Sequence, residues 1–185
     1  MRDYNIMLAG FGGQGVLFAG KLLAYSGLID GRELSWMPSY GPEMRGGTAN
    51  CSVCLSDKPI GSPLVTDPDV LIALNLPSFT KFMPKVVPGG LIIADTSLAN
   101  VCPERDDVKF IGIPATKIAE DNDLATLGNV ICIGVLLKQT GFSTQESLEQ
   151  AIEKSVSSRH TDLIGPNKKA LSVGYNYTPE DECAH

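Results

Sequence analysis

Asn5-Ile6-Met7-Leu8-Ala9, then Gly10-Phe11-Gly12-Gly13-Gln14-Gly15, then Val16-Leu17-Phe18-Ala19-Gly20-Lys21-Leu22-Leu23-Ala24: this run decides the fold. Residues 5–9 are short and almost wholly apolar, the mark of a buried strand. The glycines that follow permit a tight turn. Val16, Leu17, Ala19, Leu22 and Leu23 then recur at helical spacing, which predicts a helix over residues 16–28, bracketed at its end by Gly27 and Gly31. Residues 33–37 read as a second strand. Strand, glycine turn, helix, strand opens a parallel α/β unit. The fold class expected is therefore α/β: one Rossmann-like domain, with a mainly parallel sheet flanked by helices.

The rest of the chain continues that pattern. Residues 48–56, 70–74, 91–94 and 110–113 read as strands, with Pro88-Gly89-Gly90 forcing a turn before the third of these. Residues 127–139 read as an apolar, buried helix stopped near Gly141. Ser143-Thr144-Gln145-Glu146 reads as a capping box, with Leu148, Ile152 and Val156 lining one face of the helix it opens. A last short helix is expected over residues 167–174. The domain is placed at residues 1–174, and residues 175–185 form a polar, acidic tail.

At 185 residues with 43% hydrophobic composition, the chain can bury a core and is not disordered. A formal net charge of −6 argues against a nucleic-acid partner, which needs clustered Lys and Arg, and against an anionic membrane surface. No apolar run approaches the ~20 residues of a membrane span. The N-terminus lacks the apolar stretch of a signal peptide. Five cysteines, an odd number spread along the chain, fit a reduced, cytoplasmic setting.

Gly10, Gly12, Gly13, Gln14 and Gly15 are the candidate cofactor-binding turn. They satisfy G-x-G-x-x-G between a strand and a helix, where a backbone can approach a pyrophosphate and a helix N-terminus offers free N–H groups. The second half of a dinucleotide site is missing: the second strand ends in Met37-Pro38-Ser39, with no acid for the ribose hydroxyls. Three readings stay open at this turn: a nicotinamide dinucleotide, close helix–sheet packing alone, or a different phosphate-bearing ligand or partner loop.

Residues 38–47, PSYGPEMRGG, form the most unusual segment. Prolines lower the entropy of ordering it, glycines admit a close neighbour, and Arg45 offers a planar fork for carboxylate or phosphate. Ser39, Tyr40, Gly41, Pro42, Glu43, Arg45, Gly46 and Gly47 are candidate partner-interface residues, and Arg45 is also a candidate cofactor contact. No catalytic residue is assigned. His160 sits in a polar segment and reads as solvated. Cys51-x-x-Cys54 lies on a predicted strand, which aims the two thiols at opposite faces, so no metal site is assigned.

The turn with its helix, residues 10–24, resembles the gamma subunits of 2-oxoacid:ferredoxin oxidoreductases. So do WMPSYGPEMRGGTANCSV, IGSPLVTDPDVLIALN, PGGLIIADTS, LGNVICIG and PNKKALSVGY, which together cover nearly the whole chain. The SYGPEMRGG loop is the most specific of these. The resemblance extends over the 2-oxoglutarate, 2-oxoisovalerate and pyruvate branches, with 2-oxoglutarate the substrate expected. It implies an enzyme that oxidatively decarboxylates a 2-oxoacid, forms an acyl-coenzyme A and reduces ferredoxin, in anaerobic metabolism. It implies thiamine diphosphate, magnesium and iron–sulfur clusters held by other chains: alpha and beta subunits and a ferredoxin-like delta subunit. This chain would contribute structure and access for coenzyme A, bind no cofactor alone, and self-associate as a homodimer when isolated. The alternatives are the beta-type subunit of an indolepyruvate oxidoreductase and a freestanding NADP-binding Rossmann protein.

Overall fold

The computed structural model describes residues 2–39, 48–97, 101–124 and 126–179. In chain order the elements are β1 (Tyr4–Phe11), α1 (Val16–Ile29), β2 (Glu33–Ser39), β3 (Thr48–Ser56), β4 (Val70–Ala73), α2 (Leu76–Phe82), β5 (Leu91–Asp95), β6 (Lys109–Ile113), α3 (Ala115–Asp121), α4 (Gly128–Thr140), α5 (Gln145–Ser155) and α6 (Ile164–Asn176). One sheet runs in the order β2-β3-β1-β4-β5-β6. The pairs β1/β4, β4/β5 and β5/β6 are parallel, while β3 runs antiparallel to both neighbours, β1 and β2.

Strand alternation builds two cores, one on each face of the sheet. Ile6, Leu8, Val53, Ile72 and Ile93 face a large core closed by α1, α4, α5 and α6, while Met7, Leu71, Ile92 and Ala94 face a smaller one closed by Phe79 and Phe82 of α2. The period-2 rule thus sends consecutive apolar residues of one strand to opposite layers, which is why β4 and β5 read as unbroken apolar runs. α4 and α6 cross at backbone distance. A Cβ at Gly174 would lie 1.9 Å from Ile131 O, and one at Gly134 would lie 2.2 Å from Leu171 O.

Several boundaries differ from the sequence reading. β1 and β2 each run two residues further, because pairing with β3 continues through Phe11 opposite Thr48 and Ser39 opposite Asn50. Ser39, expected in the loop, is the last residue of an edge strand. The cap of α5 is Thr144, whose side chain accepts from Ser147 N–H at 3.0 Å. Ser143 instead donates its hydroxyl to Asp30 at 2.5 Å, tying α5 to the end of α1. α6 runs through Asn176, past the expected boundary at residue 174, and Tyr177 donates its hydroxyl to Gly112 O at 3.2 Å. α3 had no signal in the sequence reading. It forms because Asp95 accepts from both Thr116 N–H (3.1 Å) and Thr116 Oγ1 (2.5 Å), fixing the first turn.

Candidate functional site

The sheet order reverses between β1 and β4: from β1 the chain first builds β2 and β3 on one side, then β4 to β6 on the other. Open α/β sheets gather their ligands at such a switch point, beyond the carboxyl ends of the strands. The glycine turn lies there.

Gly10, next to last in β1, has no room for a side chain, since a Cβ would meet Gln14 Oε1 and Val16 Cγ2 at 2.9 Å. Gly13 and Gly15 adopt left-handed backbone angles (φ 94° and 70°). Gly12 faces open space, with no atom within 4 Å of the point a Cβ would occupy. Gln14 folds back over the turn. Its Oε1 accepts from Phe11 N–H (2.7 Å) and from Asn75 Nδ2 (2.9 Å), and its Nε2 donates to Leu74 O (2.8 Å).

Two helix N-termini meet in front of the turn. α1 begins after Gly15 and α4 after Leu127, and neither carries a side-chain cap. The first intrahelical bond of α1 runs from Ala19 N–H to Gly15 O, and those of α4 run to Leu127 O, so the amides before them point outward without helical partners. Asn129 joins the two ends by donating Nδ2 to Gly15 O at 2.9 Å. It is 4% exposed, and its Oδ1 has no hydrogen-bond partner.

Two cavities share the wall formed by Gly13, Thr126 and Asn129. The smaller, about 160 Å³, adds Gln14, Leu74, Asp95 and Thr116. The larger, about 340 Å³, reaches between α1, α5 and α6 to Phe18, Leu127, Leu163, Ser155, His160 and Asn167. Ser155 Oγ and Asn167 Oδ1 on its wall also lack partners, although both atoms are buried. Uncapped helix N-termini favour an anion. Orphaned amide and hydroxyl oxygens favour a group that donates hydrogen bonds. The site therefore suits one ligand that carries both phosphate and N–H or O–H groups beside an apolar body.

Of the turn residues, Gly13 and Gln14 line the smaller cavity and Gly13 and Gly15 the larger, while Gly10 and Gly12 line neither. Gln14 uses three bonds on protein groups, which makes it a strut of the turn. Tyr40, Gly41, Pro42, Glu43, Arg45, Gly46 and Gly47 lie outside the described residues. His160, read as merely solvated, is exposed but lines the larger cavity. Cys51 and Cys54 do face opposite cores. Burial pushes the Cys51 thiol up to about 12, against smaller opposing effects of hydrogen bonds with Trp36 and Gly20, and burial raises Cys132 as well. Among the described residues no group of three or more His, Cys, Asp or Glu comes together. No helix among them is long and apolar enough to cross a membrane.

Asn129, Asn167, Thr126 and Thr116 were not singled out from sequence. One signal was available: Asn129 is a polar residue inside the otherwise apolar run Leu127-Gly128-Asn129-Val130-Ile131. A polar side chain on an all-buried helix demands a partner.

The acid that a dinucleotide site needs, missing from the sequence, would have no place here. The strand beside β1 is antiparallel β3, so the end of β2 is displaced by two strand spacings, about 10 Å, from β1.

Residues 5–177 match the pyruvate ferredoxin/flavodoxin oxidoreductase family. The chain belongs to that family. Ketoisovalerate oxidoreductase subunit VorA of Methanothermobacter marburgensis is 39% identical over 178 residues, covering 95% of this chain. The chain spans 37% of the length of that relative. 2-Oxoglutarate synthase subunit KorC of Methanocaldococcus jannaschii is 37% identical over 180 residues, 95% of this chain and 94% of that protein. Among solved structures, the gamma subunit of a keto/oxoacid ferredoxin oxidoreductase from Geobacter sulfurreducens superposes with a TM-score of 0.79 at 27% identity. That match covers 93% of this chain and 96% of the other. Within the oxidoreductase family the glycine turn, the α4 N-terminus and the α6 N-terminus all fall inside the matched span.

Proposed function

We propose that this chain is the gamma-type subunit of a 2-oxoacid:ferredoxin oxidoreductase and that its cleft holds part of coenzyme A. The observation that carries the proposal is the meeting of two uncapped helix N-termini, α1 and α4, over a cleft whose wall holds unpartnered polar atoms. Coenzyme A has phosphates for the helix ends, amide and hydroxyl groups for Asn129, Asn167 and Ser155, and apolar segments for Phe18, Leu127 and Leu163. The coenzyme supplies the thiol that accepts the acyl group. This chain orients it and keeps water from its buried length, and it supplies no catalytic residue.

Thiamine diphosphate, magnesium and iron–sulfur clusters belong to partner chains: alpha and beta subunits and a ferredoxin-like delta subunit that passes electrons to ferredoxin in the cytoplasm. The proposed partner surface includes Phe11 (40% exposed), Met37 and Leu76 (49% exposed), large apolar side chains left in water. Arg45 meets a partner carboxylate or a coenzyme A phosphate. The substrate is a 2-oxoacid of the 2-oxoglutarate or branched-chain class.

The test is anaerobic affinity purification of the tagged chain from its host, followed by dye reduction with several 2-oxoacids, with and without coenzyme A. Co-purification of thiamine-binding chains with coenzyme A-dependent activity is expected. Recovery of the chain alone, with no such activity in the preparation, would sink the proposal.

A further inference from the structure

The amide of Gln14 does more than fill space. Its oxygen can accept two hydrogen bonds and does so, from Phe11 N–H at 2.7 Å and Asn75 Nδ2 at 2.9 Å. Its nitrogen donates to Leu74 O at 2.8 Å. The orientation of the amide is fixed by its neighbours, because Leu74 O can only accept and Phe11 N–H can only donate. Asn75 is held in turn: its Oδ1 accepts Ser78 N–H at 2.9 Å as the N-cap of α2. Two side-chain amides thus connect the glycine turn, the end of β4 and the start of α2. The turn has little else to hold it. Beyond the Gln14 side-chain bonds and the bond from Gln14 N–H to Phe11 O at 3.2 Å, no other hydrogen bond among the described residues closes residues 11–14, and Gly13 and Gly15 sit at left-handed angles.

We infer that Gln14 is the positioning residue of the coenzyme A cleft: its amide, backed by Asn75, fixes the glycine turn so that the N–H groups at the start of α1 stay aimed at the ligand. The inference rests on the functional reading above. Gln14 acts through the turn and not by touching the reacting atoms. Without it, Phe11 N–H and Leu74 O lose their partner and the turn samples other conformations, so the ligand must re-order it on binding.

The test uses the purified oxidoreductase complex carrying Gln14→Met, which keeps the volume and removes all three bonds, and Asn75→Asp, which keeps the α2 cap and removes the donor to Gln14. Gln14→Met is expected to raise the KM for coenzyme A roughly tenfold, while kcat and the KM for the 2-oxoacid move less than about threefold. Asn75→Asp should give the same pattern more weakly, and the double variant should be no worse than Gln14→Met alone, because both act through one bond. A second readout needs no turnover. In the purified complex, hydrogen exchange over residues 10–15 should be about tenfold faster in Gln14→Met, and coenzyme A should slow it in the wild type. A merely structural role predicts equal losses in all kinetic parameters and additive variants, and that pattern overturns the inference. So does an unchanged KM for coenzyme A in Gln14→Met when the wild type depends on coenzyme A. A wild-type complex that ignores coenzyme A would instead overturn the functional reading, and this inference with it.

Discussion

Gly15 and Gly12 share one motif and differ in what they tolerate. Gly15 sits at φ 70°, and a Cβ there would lie 2.4 Å from Asn129 Nδ2. Gly15→Ala should cost about 2 kcal/mol or more from backbone strain and the displaced Asn129, lowering the melting temperature by roughly 4–8 °C. Gly12→Ala has open space and should stay within about 0.5 kcal/mol of wild type in the same melting experiment. If a ligand backbone or phosphate passes Gly12, that variant weakens coenzyme A binding without touching stability. The buried thiols give a pH prediction. The folded-state pKa of Cys51 is raised to about 12 from an ordinary 9.0, so its contribution is complete below about 9 and is lost as pH climbs toward 12. Urea midpoints should fall over that alkaline range, and fall less in Cys51→Ala. Cys132, whose thiol burial also raises, adds to that slope.

Helix ends carry most of what distinguishes the elements. α5 is capped by Thr144, with Ser143 turned toward Asp30. Thr144→Ala should therefore destabilise by about 1 kcal/mol in denaturant titrations, and Thr144→Ser should restore most of that loss. α1 and α4 are long helices left uncapped, in contrast to α2 and α5, and both of those bare ends face the same cleft. β2 is an edge strand that carries Pro38, which limits pairing with a further strand. The α4/α6 crossing depends on glycine at both contacts. Gly174→Ala, whose Cβ would lie 1.9 Å from a backbone oxygen, should force the helices apart and cost about 3 kcal/mol, detectable as an early loss of folded signal on heating.

The whole domain gathers its candidate site at one pole. The glycine turn, Asp95 with Thr116, and the N-termini of α1, α4 and α6 all lie beyond the carboxyl ends of the parallel strands or line the cavities there. Apolar Phe11 and Leu76 are exposed beside Gln14 and Asn75, which places the proposed partner surface next to the turn that Gln14 holds. Replacing both by serine should leave the free chain folded and reduce its self-association, read by sedimentation, and should weaken recovery of partner chains in the pull-down.

Local chemistry fixed the strands, the glycine turn and α1, because apolar periodicity and glycine placement act over a few residues. It also fixed the class of fold, since strand–turn–helix–strand has few packed solutions. It could not order the sheet. That β3 inserts antiparallel between β2 and β1 depends on which edges pair, a choice made by burial of whole faces. Nor could it show that Asn129 meets Gly15 across 114 positions of sequence, or that Gln14 reaches Leu74 across 60. Such contacts leave no local pattern. They arise only when the packed helices and strands bring distant polar groups into a place where water cannot satisfy them.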